Sequence, residues 1–298
     1  MKLSLSYLGF DAEQMPAAGR YQNDAVESVL FHRDHLSDEY WASNWANIEI
    51  AISEYGAENV TFHFPMNASD YIEDSFVMRR LDESYQRASD LGLTGVIVHS
   101  NRIRRAAEWR KFDQKIERLR VVEALQNIIE SNNTSNTWIG LENMPNVGNS
   151  GDETDPLFVS TDDLDILPDS IGIVWDVCHA LCSYQYMQAY ENKVISDDIY
   201  LRPDASQFTN ISDIGNRVVH WHFASSTGLN IPNKGTVCSE GMLPAEGDLE
   251  ERFYTEQMKL IADIGGIAAV NFEVSEEDYS KRYRGPLIMD WAIQTLRT

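Results

Sequence analysis

The chain has 298 residues, 43% of them hydrophobic, enough to bury a large core and to exclude a disordered or fibrous protein. Lys and Arg number 24 against 47 Asp and Glu, and the formal charge of -23 repels phosphate backbones and anionic lipid. That balance argues against nucleic acid and membrane surfaces as partners, and no apolar run reaches the roughly 18 residues of a membrane span.

Leu3 to Leu8 alternates apolar and polar residues and reads as a first strand, since Met1 to Tyr7 lacks the apolar core of a signal peptide. A short, irregular connection, Gly9 to Ala25, leads to a second strand, Val26 to His32. Six further runs each close on a residue able to bind a metal: Val60 to His63, Val96 to His99, Trp138 to Glu142, Ile173 to Asp176, Val218 to His222 and Ala269 to Glu273. Between them lie segments of helical period. Leu81, Tyr85, Ala88 and Leu91 share one face, and Ile103, Ala106, Ile116, Leu119, Val122, Leu125 and Ile129 predict one long helix stopped by Ser131 to Asn136. Phe253, Leu260, Ile261 and Ile264 predict another, closed by Gly265 and Gly266, and a last helix surrounds Ile288, Trp291 and Ala292.

The polar residues closing the six runs recur at intervals of 36, 43, 34, 46 and 51 positions, the length of a strand, a helix and two loops. Alternating strands and helices with no dividing linker predict a single domain over residues 1–298, a (β/α)8 TIM barrel of the α/β class. An open doubly wound sheet would need a Gly-rich phosphate loop, and the sequence has neither G-x-G-x-x-G nor G-x-x-x-x-G-K-[ST].

In such a barrel the six tips converge at one end. Glu142, Asp176, His222 and Glu273 form a carboxylate-rich set suited to a divalent ion of the Mn, Co, Zn or Mg type. His63 and His99 stand on neighbouring strands, placed to hold a second ion that shares Glu142. One such carboxylate or histidine would be an ordinary cap or rim residue; six together are costly to bury without a cation. His179, three residues beyond Asp176, faces the same mouth and can ligate metal or bind substrate. By strand parity His220 and Asn271 lie one layer deeper, while His32 and His35 read as capping or surface residues. Cys178, Cys182 and Cys238 are too few and odd in number for a disulfide framework, and read as buried reduced thiols of a cytoplasmic protein.

The segments His63-Phe64-Pro65, Val98-His99, Leu141-Glu142-Asn143, Trp175 to Ala180, His220 to Phe223, Glu246 to Leu249 and Phe272-Glu273 resemble, in order, those of the xylose isomerase-like TIM barrels. That family includes sugar isomerases and epimerases, inosose dehydratases and endonuclease IV. The resemblance implies metal at the C-terminal mouth, with positions like Glu142, Asp176, His222 and Glu273 holding a central ion. In endonuclease IV, positions like His63 and His99 bind a second zinc. Two departures stand out. The third zinc site of endonuclease IV has no counterpart histidine here, where the chain reads Glu240-Gly241, and no arginine follows the His222 strand to hold substrate hydroxyls as in the epimerases.

The chemistry expected is isomerisation or epimerisation of a carbohydrate through an enediolate. Glu142 and Glu273 would exchange the carbon-bound proton, a bound divalent ion (one or two) would be the cofactor, and His179, Asn143 and Arg102 would hold substrate. Arg102, Arg104, Arg105, Arg110 and Lys111 make one side of the mouth basic, and Asp152, Glu153, Asp155, Asp162, Asp163 and Asp165 make the opposite rim acidic, which disfavours a long polyanion. The alternatives are endonuclease IV-like phosphodiester hydrolysis, dehydration of a keto-polyol, and ligand binding without turnover. Ala224 to Asp248, with four glycines along it, is long enough for a lid or a structured loop. The resembling family also commonly forms homo-oligomers.

Overall fold

The computed structural model describes residues 1–132, 136–194, 211, 214–232, 234–265 and 269–297. Eight strands close a parallel barrel in chain order: β1 (Lys2–Leu8), β2 (Ala25–Val29), β3 (Val60–His63), β4 (Gly95–Val98), β5 (Trp138–Glu142), β6 (Ile171–Asp176), β7 (Val218–Phe223) and β8 (Ala269–Phe272), with β8 pairing back onto β1. Around them run α1 (Asp38–Tyr55), α2 (Ser75–Leu91), the one-turn α3 (Ala106–Trp109), α4 (Gln114–Asn132), the one-turn α5 (Thr161–Leu164), α6 (Val177–Glu191), α7 (Glu251–Ile264) and α8 (Arg284–Arg297).

Period-two alternation divides each strand between two environments. Phe62, Val96, Val98, Ile139, Leu141, Ile173, Trp175, Trp221, Phe223, Val270 and Phe272 belong to the core shared with the helices. Their neighbours of opposite parity, including Thr61, His63, Glu142, Asp176, His220, His222 and Asn271, turn into the barrel. There the filling is polar rather than the branched aliphatic layers usual for this architecture. One end is plugged by an aromatic ring: a side chain at Gly95 would meet the ring of Trp138 at 2.2 Å, so Gly95 makes room for it.

Three local expectations change. The helix predicted from Ile103 to Ile129 is two helices, because the Asp113 carboxylate accepts from the Lys115 and Ile116 N–H groups and restarts the chain at α4. Ile116 and Leu119 face solvent, while Val122 and Leu125 are buried as expected, together with Val121 and Ile128. The second strand stops at Val29, and His32 caps the short 3-10 turn Arg33–Leu36. The stop signal from Ser131 onward acts at Asn132; residues 133–135, like Gly266, lie outside the described residues.

Within Ala224 to Asp248, Ser225–Thr227 and Ser239–Met242 pair as an antiparallel hairpin. It is anchored: the Cys238 N–H donates to Asn149 O (2.8 Å), and the Asn230 amide donates to Gly148 O (2.6 Å). Gly241 has φ +79° and sits where a Cβ would be 2.8 Å from the Ser275 nitrogen, so a glycine there lets the hairpin press on the chain after β8. The segment is a packed ribbon over the mouth.

Candidate metal centre

His63, Glu142 and Asp176 are the last residues of β3, β5 and β6, His222 the penultimate residue of β7, and His99 and Glu273 directly follow β4 and β8. Parallel closure therefore gathers all six at one rim. Glu142 lies at the centre: its Oε2 is 3.2 Å from His63 Nε2, 3.1 Å from His99 Nε2 and 3.1 Å from His222 Nδ1. Glu273 Oε1 is 3.6 Å from the same His222 Nδ1. Donor atoms of Glu142, Asp176 and His222 all lie within 4.8 Å of one another, and so do those of His63, His99 and Glu142. Glu142 belongs to both groups, the arrangement a shared bridging ligand requires.

The chemistry of the donor set fits a divalent ion. His222 Nδ1 is buried and makes no hydrogen bond, although carboxylate oxygens of Glu142 and Glu273 lie near it. Burial would lower His222, but Glu142, Glu273 and Glu27 raise it well above the usual value, so positive charge is favoured between these carboxylates, the place a divalent ion would take. Burial pushes Glu273 up to about 8; His222 opposes the rise, and the neighbouring carboxylates Glu142, Asp176 and Glu27 add to it. Burial also raises Asp176, whereas at Glu142 the imidazoles of His222 and His99 outweigh burial and hold the carboxyl well below its usual range.

Beneath this rim is a residue that the strand pattern did not single out. Glu27, wholly buried in β2, accepts from Asn271 Nδ2 (3.0 Å), Thr61 Oγ1 (3.2 Å) and His222 Nε2 (3.3 Å), with His220 Nε2 at 2.9 Å. Burial would raise its carboxyl, but His222 and His220 hold it far below the ordinary range. An anionic Glu27 accepts only, so it holds a proton on His222 Nε2 and leaves Nδ1, which faces Glu142, as the nitrogen that would give up its proton to an incoming cation. A glutamate within the short strand Ala25-Val26-Glu27-Ser28-Val29 was the available signal.

His179, in the first turn of α6, has Nδ1 3.3 Å from Glu142 Oε1 and 2.8 Å from the Asn143 carbonyl oxygen. Its Nε2 is 3.7 Å from Glu240 Oε2, so the position where no histidine occurs is filled by a carboxylate on the hairpin. Burial would lower His179, but Asp176, Glu240 and Glu142 raise it well above the usual value. Asn143 braces the rim rather than reaching outward: its side chain donates to Asp176 O (3.0 Å) and accepts from Asp176 N (2.6 Å).

Arg102 does not join this group. Its fully buried guanidinium pairs with Asp70 (2.6 Å), Glu73 (3.2 Å) and Glu117, which neutralise it away from the cavity. The basic and acidic segments also do not face one another across the mouth. Arg104–Arg105 pairs directly with Glu153–Thr154 in a two-stranded ribbon, and Asp155 is buried on Ser100 and the Arg102 backbone. Charge neutralisation over a short distance explains both.

The rim opens into a cavity of about 350 Å³. His63, His99, Glu142, Asp176, His179, Glu240 and Glu273 form its polar floor, and Tyr7, Phe31, Met66, Val274 and Tyr279 contribute apolar wall. A polar floor with aromatic walls suits a small polyhydroxylated molecule.

A model of the xylose isomerase-like TIM barrel family matches residues 6–297. Among curated proteins, no sequence matches the chain. The fold is similar to that of a D-tagatose 3-epimerase-like protein at 18% identity and a TM-score of 0.62, over 100% of this chain and 98% of that one. A xylose isomerase-like TIM barrel protein from Mycobacterium smegmatis in complex with magnesium is 12% identical with a TM-score of 0.60, over 99% and 96%. Endonuclease IV from Thermus thermophilus is 12% identical with a TM-score of 0.57, over 100% and 99%. At these identities the likeness is one of fold.

Proposed function

The chain belongs to the xylose isomerase-like TIM barrel family, and from that premise we propose that it is a divalent-metal-dependent isomerase or epimerase of a small carbohydrate. The observation that carries the reading is the pairing of a rim of clustered carboxylate and imidazole donors with a cavity of about 350 Å³, room for a small sugar. The epimerase-like neighbour supports it.

Glu142, Asp176, His222 and Glu273 would hold the ion, and His63 and His99 a second that shares Glu142. When bound, a divalent ion polarises a substrate carbonyl and stabilises the negative charge of an enediolate. Glu273, at the cavity edge with its side chain 31% exposed, is placed to take the carbon-bound proton. Glu142 stands across the rim as its counterpart for returning it. His179 presents Nε2 and Glu240 a carboxylate to substrate hydroxyls. The aromatic and aliphatic wall excludes bulk water from the reacting face. Asn143 acts through its hold on Asp176.

The test is exchange. Wild type loaded with Mn or Co, given a panel of ketoses and polyols in deuterated water, should exchange one carbon-bound proton, seen as loss of its NMR signal. No exchange across the panel refutes the reading. Phosphodiester hydrolysis at the paired sites is the second reading, favoured by the His63–His99–Glu142 group. Cleavage of an abasic-site duplex with zinc, absent in Glu142→Gln, would establish it.

A further inference from the structure

At the wall of the barrel mouth, where Cys178 and Glu240 also line the cavity, three thiols from two elements meet. Cys178 and Cys182 stand one turn apart on a single face of α6, and Cys238 directly precedes the second strand of the hairpin. Cys182 Sγ is 3.5 Å from Cys238 Sγ. Sulfur atoms of Cys178 and Cys182 and a carboxylate oxygen of Glu240 all lie within 4.8 Å of one another. The three cysteines are buried and pack together with Ala224. Glu240 Oε1 is buried and makes no hydrogen bond.

We propose that Cys178, Cys182, Cys238 and Glu240 form a second metal site, built for a thiophilic divalent ion such as zinc. Two thiolates bound at about 2.3 Å with a tetrahedral angle stand about 3.8 Å apart. The Cys182–Cys238 separation lies close to that edge length and far from the roughly 2.05 Å of a disulfide. Cys178, Cys182 and Glu240 supply three mutually close donors, and Cys238, in contact with Cys182, would supply the fourth of a tetrahedral shell, the pattern of a structural site. The donor set is softer than the imidazole and carboxylate set of the rim, so the two sites select different ions. The scaffold is fixed on both sides. The Cys238 N–H donates to Asn149 O (2.8 Å), and Val237 bridges to Ser150. An ion here ties the hairpin to α6 and sets Glu240 against His179 at the cavity wall.

Cobalt reports the site, because only thiolate ligation produces an intense sulfur-to-cobalt charge-transfer band in the near ultraviolet. Reduced, metal-stripped wild-type protein is first saturated with Mn, then titrated with Co under argon. The band should appear, saturate at one equivalent and vanish when zinc is added. It should be lost in Cys182→Ser and in Cys178→Ser, each shown by circular dichroism to be folded. Absence of the band in wild type overturns the proposal without recourse to any variant, and so does a full-strength band that persists in Cys182→Ser. The readout does not involve turnover, so it stands or falls independently of the reaction at the rim.

Discussion

Glu27→Gln separates the charge beneath the rim from the shape of the side chain. Glu27 receives hydrogen bonds from Asn271, Thr61 and His222, with His220 at 2.9 Å, and only an acceptor satisfies them all. Glutamine keeps the volume but turns an NH2 group toward at least one of these donors. His222 is then free to keep its proton on Nδ1, the atom 3.1 Å from Glu142 that a cation would need. Losing the outer partner of a ligating histidine weakens metal binding by about 10–100-fold, roughly 1.4–2.7 kcal/mol. Calorimetric titration of metal-stripped wild type and variant with Mn measures this directly, with circular dichroism confirming the fold. Affinity within twofold of wild type in a folded variant would refute the argument that Glu27 fixes the His222 tautomer.

Glu142→Gln removes the carboxylate common to both donor groups and should lower kcat/KM in the exchange assay by about 10²–10⁴-fold. With Glu273 raised to about 8, that carboxyl is mostly protonated at pH 7 in the metal-free protein. Cation binding at neutral pH should therefore release a proton, measurable by calorimetry in buffers of different ionisation heat, and affinity should climb as pH rises to about 8. Between the unfolded value of 4.5 and about 8 the folded carboxyl holds a proton that the unfolded chain lacks. This group thus costs the metal-free protein stability as pH rises through that window, and a melting series with and without Mn should show the largest metal-induced gain at its upper end. Arg102→Ala removes the buried cation shared by Asp70, Glu73 and Glu117, leaves Glu117 with Arg120 alone, and should cost about 1.5–3 kcal/mol in chemical denaturation while leaving KM unchanged. Gly241→Ala forces a Cβ against the Ser275 backbone at positive φ, and a loss of about 1–3 kcal/mol is expected from its melting curve.

The order of elements, the closed barrel and the gathering of the rim were legible in the chain itself. Six of the eight strands carry a polar residue within one position of their end, and β-periodicity with a regular spacing leaves little freedom in where those residues go. His220 one layer down followed from parity, and His32 as a cap was one of the two readings the sequence offered, although its strand stops short of it. What the chain could not reveal depends on pairs of residues remote in sequence. Glu27 reads as one polar residue in an apolar strand until closure brings His220, His222 and Asn271, about 190 to 240 positions away, around it. Arg102 looks free until Asp70 and Glu117 meet it from other elements, and Glu240 and the thiols come together only because the hairpin folds back onto α6. Local periodicity sets which face of an element a side chain occupies. Which charges neutralise one another is decided by three-dimensional proximity, because Coulomb energy depends on distance in space and on the water excluded between the groups.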